Sequence, residues 1–161
     1  TRHRPRPQNF PSTTTESTSM INVKKLNPEA KLPTYGSTGA ACFDLYCLSG
    51  GVVRSGSPVA FPTGLAFEIP EDHVMLLYSR SGHGFNHGVR LANCTGIIDS
   101  DYRGELAVKL TCDSTLTSFT VEAGDRIAQA MIIPVTRCHF QQVKELASTV
   151  RGSGGFGSTG K

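Results

Sequence analysis

From Ile21 onward, short apolar runs alternate with Gly, Pro, Asn and Asp. Gly64-Leu65-Ala66-Phe67-Glu68-Ile69 sets Leu65, Phe67 and Ile69 on one side of an extended chain, and Glu105-Leu106-Ala107-Val108-Lys109-Leu110 does the same with Leu106, Val108 and Leu110. Period two is the signal of a half-buried strand. The same reading predicts strands over 41–47, 58–61, 73–78, 94–98, 117–121, 126–133 and 137–143, with one short helix near 80–87 despite its glycines. Many short strands separated by frequent turns predict an all-β fold: a sandwich, a barrel or a jelly roll. No internal repeat is visible.

Both ends break the pattern. Residues 1–19 are polar, Pro- and Thr-rich and aperiodic, and are expected to be a disordered leader. Met20 is a candidate native start, which would make 1–19 an upstream or vector-derived segment; a transit peptide is the other option, since the segment is rich in Arg, Ser and Thr. The body is expected over 20–146 and a mobile glycine-rich arm over 147–161. The run from Arg151 to Lys161 carries a single aromatic, Phe156, with nothing local to pack on. By composition it is a flexible end. The sharper reading is a lid whose glycine amides wrap phosphates while the Phe stacks on a ring.

Length and composition narrow the classes. A chain of 161 residues suits one domain. Charged residues are 18%, below the roughly 25% of ordinary soluble domains. The net charge is +3, of which Arg2, Arg4, Arg6 and Glu16 in the leader account for +2. The remaining charge of about +1 is no footprint for duplex nucleic acid. Five scattered cysteines with no Cys-x-x-Cys pair suggest a reducing, intracellular and most simply cytoplasmic setting, with the thiols acting as small buried hydrophobes. No stretch approaches the roughly 20 apolar residues of a membrane span, so no membrane partner is expected.

Taken singly, the chemical signals are weak. Gly155 to Lys161 matches G-x-x-x-x-G-K, but a P-loop needs Ser or Thr next, a strand before and a helix after, and is not expected. Ile97-Ile98-Asp99-Ser100-Asp101-Tyr102-Arg103-Gly104-Glu105 places a polar turn between apolar runs, which composition alone reads as a plain β-turn. As a calcium loop it fails, with Arg103 at the fifth position and Leu110 at the twelfth. His83 and His87, four apart, lack the further ligands of a zinc pair and read as surface or helix-end histidines. Ser79-Arg80-Ser81-Gly82 before the short helix is either an ordinary helix start or an anion site.

In order, however, the segments resemble the five motifs of the trimeric dUTP pyrophosphatase (dUTPase) family. Ala41-Cys42-Phe43-Asp44-Leu45 is similar to the first, Arg80-Ser81-Gly82 to the second, and Gly96 through Gly104 to the third, almost residue for residue. Gly124-Asp125-Arg126-Ile127-Ala128-Gln129 is similar to the fourth, and Arg151-Gly152 through Gly160 to the fifth. The likeness covers about 21–160. Departures are Cys42 for the usual Gly, Ser79 where Pro often stands, and Ala107 at a rim position larger in many relatives.

The resemblance implies a jelly-roll homotrimer with shared sites that hydrolyses dUTP to dUMP and pyrophosphate. It assigns Asp99 as the carboxylate that activates water. It assigns Arg80, Ser81, Gly82 and Gln129 to the triphosphate, and Asn93 with Gly96, Ile97 and Ile98 to the uracil edge. Tyr102 would pack under the deoxyribose, with Ala107 at the rim. Phe156 would stack on uracil while Arg151, Gly157, Ser158 and Thr159 close over the phosphates. Asp44 and Arg126 would support the site, and Mg2+ would be held by phosphates and waters with no direct protein ligand. Three rivals remain: a dCTP deaminase of the same fold, whose catalytic Glu and arginine-rich second motif are not seen; a dUTPase-fold regulator that binds a protein partner under nucleotide control; and a capsid or lectin jelly roll, which leaves the tail unexplained.

Overall fold

The computed structural model describes residues 20–115, 118–155 and 157, so the expected leader 1–19 lies outside them. In chain order they form β1 (Asn22–Lys25), β2 (Thr34–Tyr35), β3 (Phe43–Tyr46), β4 (Gly51–Val53), β5 (Val59–Pro62), β6 (Leu65–Glu68), β7 (His73–Tyr78), α1 (Ser81–His87), β8 (Val89–Leu91), β9 (Gly96–Ile98), β10 (Ala107–Cys112), β11 (Phe119–Val121) and β12 (Arg126–Pro134). The all-β, jelly-roll-like class expected from the pattern is the class observed, and the one helix stands where it was expected.

The strands pair as β1-β6, β5-β10-β8, β11-β4 and β2-β3-β12-β7-β9, every pairing antiparallel. One core fills the space between these sheets. Its fully buried side chains come from most of them: Leu45 on β3, Phe61 on β5, Leu65 on β6, Met75 on β7, Leu91 on β8, Leu110 on β10 and Ile127 on β12. Leu106, Val108 and Leu110 are buried as their spacing predicts, as are Leu65, Phe67 and Ile69. On β6 the half-buried expectation understates the burial, because Ala66 on the opposite side is only 6% exposed.

The expected strand over 137–143 is absent. Pro134 ends β12, and residues 134–153 are exposed, Phe140 almost completely. A strand needs a neighbour to take its backbone groups, and no described residue pairs with this stretch. The elements missed from sequence, β1, β2, β4 and β8, are two to four residues long. Runs of two or three residues carry too few positions for a period to register, and β1, Asn-Val-Lys-Lys, is polar and mostly exposed.

Two local devices position the polar side chains at the sheet ends. On β12 the register slips between Arg126 and Ala128, so Ile127 is an extra residue in the ladder. Ile127, Ala128 and Ala130 are all buried, which leaves Arg126 and Gln129, three residues apart, on the outer side. A bulge is the usual way to re-aim side chains without ending a strand. The second device is buried Thr63, between β5 and β6. Its hydroxyl donates to the Leu106 carbonyl at 2.6 Å and accepts the Leu65 N–H at 3.2 Å. The neighbouring Gly64 N–H donates to Glu105 Oε1 at 2.9 Å. Together they pin the end of the 99–106 connection to the body.

Replacing Thr63 with Val keeps the shape and removes the hydroxyl from a fully buried position. The Leu65 N–H loses a partner, so the variant is expected to unfold about 1–3 kcal/mol more easily. Urea denaturation measures this, and an unchanged midpoint would show that the brace contributes nothing.

Candidate active site

The predicted site residues fall into two clusters and a tail. The first cluster is basic and centres on Asp44. Asp44 sits on β3 between buried Phe43 and Leu45, so alternation turns it outward. It pairs in register with Gln129 of β12 and Thr34 of β2. One carboxylate oxygen accepts Arg80 Nε at 3.2 Å and the other accepts Arg126 Nη1 at 3.3 Å. The Asp44 side chain is 13% exposed, against 22% for Arg80 and 49% for Arg126. A carboxylate this enclosed loses contacts with water, and the two guanidiniums replace them.

Arg80 is the N-cap of α1 and keeps extended dihedrals, φ −79° and ψ 135°. No side chain caps the helix. The first-turn amides of Ser81 and Gly82, both exposed, have no acceptor within the helix. Gly88 ends the helix in the left-handed region at φ 63°, its N–H donating to the Gly84 carbonyl at 3.1 Å. Ser79 fastens the start of the helix to β8 and β12. Its hydroxyl accepts the Leu91 N–H at 2.9 Å, and its carbonyl accepts Gln129 Nε2 at 3.1 Å. Asp44, Arg80, Arg126 and Gln129 are thus held at one end of the five-stranded sheet.

The second cluster is the turn after β9. Gly96 is buried against Leu77, while Ile97 stands 67% exposed on the outermost strand of the sheet. Ile98 leads into Asp99, which is exposed, and the Tyr102 N–H donates to the Asp99 carbonyl at 3.2 Å. Arg103 Nη1 folds back onto the Ser100 and Tyr102 carbonyls at 2.6 and 3.1 Å. The Tyr102 hydroxyl donates to the Glu105 carbonyl at 3.0 Å, which fixes a ring that is 46% exposed. That ring lies on Gly104, where an added Cβ would collide with the phenol. Ala107 opens β10 and is exposed. Asn93 sits in the tight turn between β8 and β9, where Cys94 takes φ 64°, and is likewise exposed.

The two clusters do not meet within one chain. β9 runs antiparallel to β7 with Gly96 opposite Leu77 and Ile98 opposite Met75, which sets Asp99 level with Val74. Arg80 lies six residues further along, past the other end of β7. At about 3.3 Å per residue the separation is roughly 20 Å. Of the tail, Arg151 donates through Nε to Gly154 O at 2.8 Å, within its own turn, and Gly157 is exposed at φ 87°. The roles expected for Phe156, Ser158 and Thr159 concern residues outside the described ones. A cavity of about 950 Å³ lies elsewhere, lined by Ile21, Val23, Leu32, Tyr35, Phe43 and Phe67 among others, and holds no predicted site residue.

Two expectations are corrected. His83 is half-buried instead of lying at the surface: its ring and that of His87 both lie against Phe119, at centroid distances of 4.9 and 5.1 Å. Neither residue's packing is visible from a four-residue spacing, because Phe119 arrives from a distant strand. The cysteines are mixed, with Cys47 and Cys112 buried, Cys42 half-buried, and Cys94 and Cys138 exposed. Burial, then the nearby Asp44 charge, raises the Cys42 thiol pKa. No described helix is long and apolar enough to cross a membrane.

Known proteins share this fold. The family described as dUTPase matches residues 28–160. A deoxyuridine 5'-triphosphate nucleotidohydrolase of Nautilia profundicola is 45% identical over 141 residues, covering 88% of this chain and 99% of that protein. One from Syntrophotalea carbinolica is 45% identical over 145 residues, covering 89% and 98%. Among solved structures, a variant of the Staphylococcus bacteriophage 80alpha dUTPase with dUpNHpp superposes with a TM-score of 0.83 at 28% identity, covering 89% of this chain and all of that one. A dUTPase from phage phi11 of S. aureus, described with a structural Mg(II) ion, matches in fold at a TM-score of 0.71 and 24% identity, covering 79% of this chain and 98% of that one.

Asp44→Asn removes the charge that two guanidiniums share. The partly enclosed pairs should cost about 1–3 kcal/mol when broken, below the value for fully buried pairs. The loss should shrink in high salt, where screening already weakens the more exposed Arg126 contact. Denaturation of both proteins at low and high ionic strength measures it, and equal stability throughout would remove Asp44 from its bridging role.

Proposed function

Since the chain belongs to the dUTPase family, we propose that it hydrolyses dUTP to dUMP and pyrophosphate, clearing dUTP from the nucleotide pool and supplying the precursor of dTMP. The separation of the two clusters by the length of β7 carries this reading furthest. One end of the chain offers a fixed set of cationic and amide donors suited to phosphate, and the other offers a bare carboxylate beside an exposed backbone edge. Reaction at a single phosphorus needs both within a few ångströms. Association of identical subunits brings one copy's turn to another copy's basic end, so the working form is a homotrimer with shared sites. The arm 147–161 of a third copy closes each of them.

In that site Arg80, the amides of Ser81 and Gly82, and Gln129 bind the triphosphate. Arg80 and Arg126 arrive already oriented by Asp44, so little ordering remains to be done on binding. Asp99 takes a proton from the water that attacks the α-phosphorus. The water oxygen forms the new P–O bond and the bond to the bridging oxygen breaks, with pyrophosphate leaving. Asn93 and the β9 backbone from Gly96 to Ile98 read the uracil edge; cytosine reverses the donor and acceptor pattern there and would leave buried groups unpaired. Tyr102, tethered to Glu105, packs under the deoxyribose and excludes a 2′-hydroxyl. Ala107 borders the pocket, and Arg151, Phe156, Gly157, Ser158 and Thr159 cover base and phosphates.

The donor set suits a magnesium ion carried by the nucleotide. Asp44 is committed to two arginines and Asp99 is exposed, and among the described residues no three His, Cys, Asp or Glu side chains converge. A Mg2+ ion brought in with the nucleotide would supply positive charge against the developing pyrophosphate. A cytoplasmic setting is consistent with the free thiols of Cys94 and Cys138.

Pyrophosphate release from dUTP, dCTP, dTTP and UTP, with and without Mg2+, tests the activity. Release from dUTP alone, and only with Mg2+, is expected; deamination of dCTP would favour the deaminase rival instead. Asp99→Asn should still bind dUpNHpp while kcat falls about 10²–10⁴-fold, the usual worth of a general base; near-normal kcat would take Asp99 out of that role. Tyr102→Ala should let UTP compete measurably better with dUTP, and unaltered sugar discrimination would refute its steric part.

A further inference from the structure

His83 holds an unusual position beside the phosphate-binding end. Its Nε2 lies 3.3 Å from Arg80 Nη1. A guanidinium has N–H groups and no lone pair to offer, so Nε2 must be the acceptor and the neutral ring must carry its proton on Nδ1. Nδ1 is buried and has no hydrogen-bond partner among the described residues. The fold therefore tolerates a buried donor without an acceptor to keep this ring in this tautomer. Packing explains how: the His83 ring is tilted 57° against Phe119 of β11. Arg80 is meanwhile held at Nε by Asp44, at 3.2 Å.

Two separate elements thus grip one guanidinium: β3 through a carboxylate, and α1 through an imidazole. We propose that His83 is a positioning residue for Arg80, its neutral imidazole accepting one guanidinium N–H so that, together with Asp44, it fixes the plane in which Arg80 meets the phosphates. This rests on the reading of Arg80 as a triphosphate ligand.

The surroundings keep the ring neutral. Burial first, then the charges of Arg80 and His87 on α1, lower the His83 pKa below its ordinary 6.5. Arg126 from β12 acts in the same direction, and Asp125, in the turn before β12, opposes it. Protonation would turn Nε2 into a second donor facing a cation. The folded chain holds this proton less tightly than the unfolded chain does. The grip is therefore complete above pH 6.5 and is lost as pH falls through the lowered folded value.

The test compares wild type, His83→Leu and His83→Gln as full chains, reading dUpNHpp affinity and dUTP kinetics between pH 5.5 and 8. At pH 7.5 His83→Leu should weaken dUpNHpp binding and raise KM roughly tenfold, the scale of one charge-assisted hydrogen bond, with a smaller effect on kcat. His83→Gln, whose amide oxygen accepts the same N–H, should restore most of it. As pH falls from 6.5 through the lowered folded value, the wild type should lose affinity faster than His83→Gln, since the amide does not titrate. In wild type, ¹⁵N NMR of His83 should show the Nδ1–H tautomer at neutral pH, a readout that needs neither variant to fold. An Nε2–H tautomer, or a folded His83→Leu equal to wild type at every pH, overturns the proposal, as does a His83→Gln no better than His83→Leu. Should wild type neither bind dUpNHpp nor hydrolyse dUTP, the functional reading falls and takes this inference with it. Normal wild-type turnover with an unaffected His83→Leu sinks this inference alone.

Discussion

The ladder between β7 and β9 constrains the rest of the molecule. With Gly96 held opposite Leu77 and Ile98 opposite Met75, the carboxylate of Asp99 and the guanidinium of Arg80 are carried to opposite ends of one strand. A slip of one residue would put Ile97 where Gly96 now lies against Leu77, where even a Cβ would sit 3.0 Å from the Leu77 Cβ, and would turn the inward residues of β9 outward, so the register is strongly specified. Each end is then organised separately. Ion pairs of Asp44 order the basic end, and backbone bonds among Asp99, Tyr102, Arg103 and Glu105 order the acidic turn. The proposed catalysis by a shared site stems from that spacing more than from any one side chain.

Charge at the basic end is arranged economically. Arg80 and Arg126 share the Asp44 carboxylate, and His83 lies against Arg80. Burial, then the charge of Arg80, lowers the His83 pKa and so favours the neutral ring beside the guanidinium. The remaining positive charge is directed outward on residues whose orientation is already settled, which is what an anion site requires before its ligand arrives.

Much of this was legible in the sequence. Period-two alternation located β6 and β10 with their inward residues, and short apolar runs between turn residues located β7 and β12. The five ordered motifs pointed to the dUTPase family, to which the chain belongs. What could not be read depends on partners distant in sequence. The contact of His83 with Phe119 joins residues 36 apart, and Asp44 meets Arg126 across 82 positions. The segment 137–143 misled for the same reason in reverse. Its local pattern allows a strand, but nothing described in the chain pairs with it.

The extra residue in β12 has a consequence for how this chain tolerates changes of length. Arg126 and Gln129 share a side only because Ile127 is inserted between them in the ladder. Deleting one residue there would not merely shorten the strand. It would turn one of the two polar side chains toward the space now filled by Ile127 and Ala128, both fully buried. Insertions and deletions should therefore be accepted in the exposed stretch after Pro134 and refused at the start of the longest strand, although the two lie within ten residues of one another.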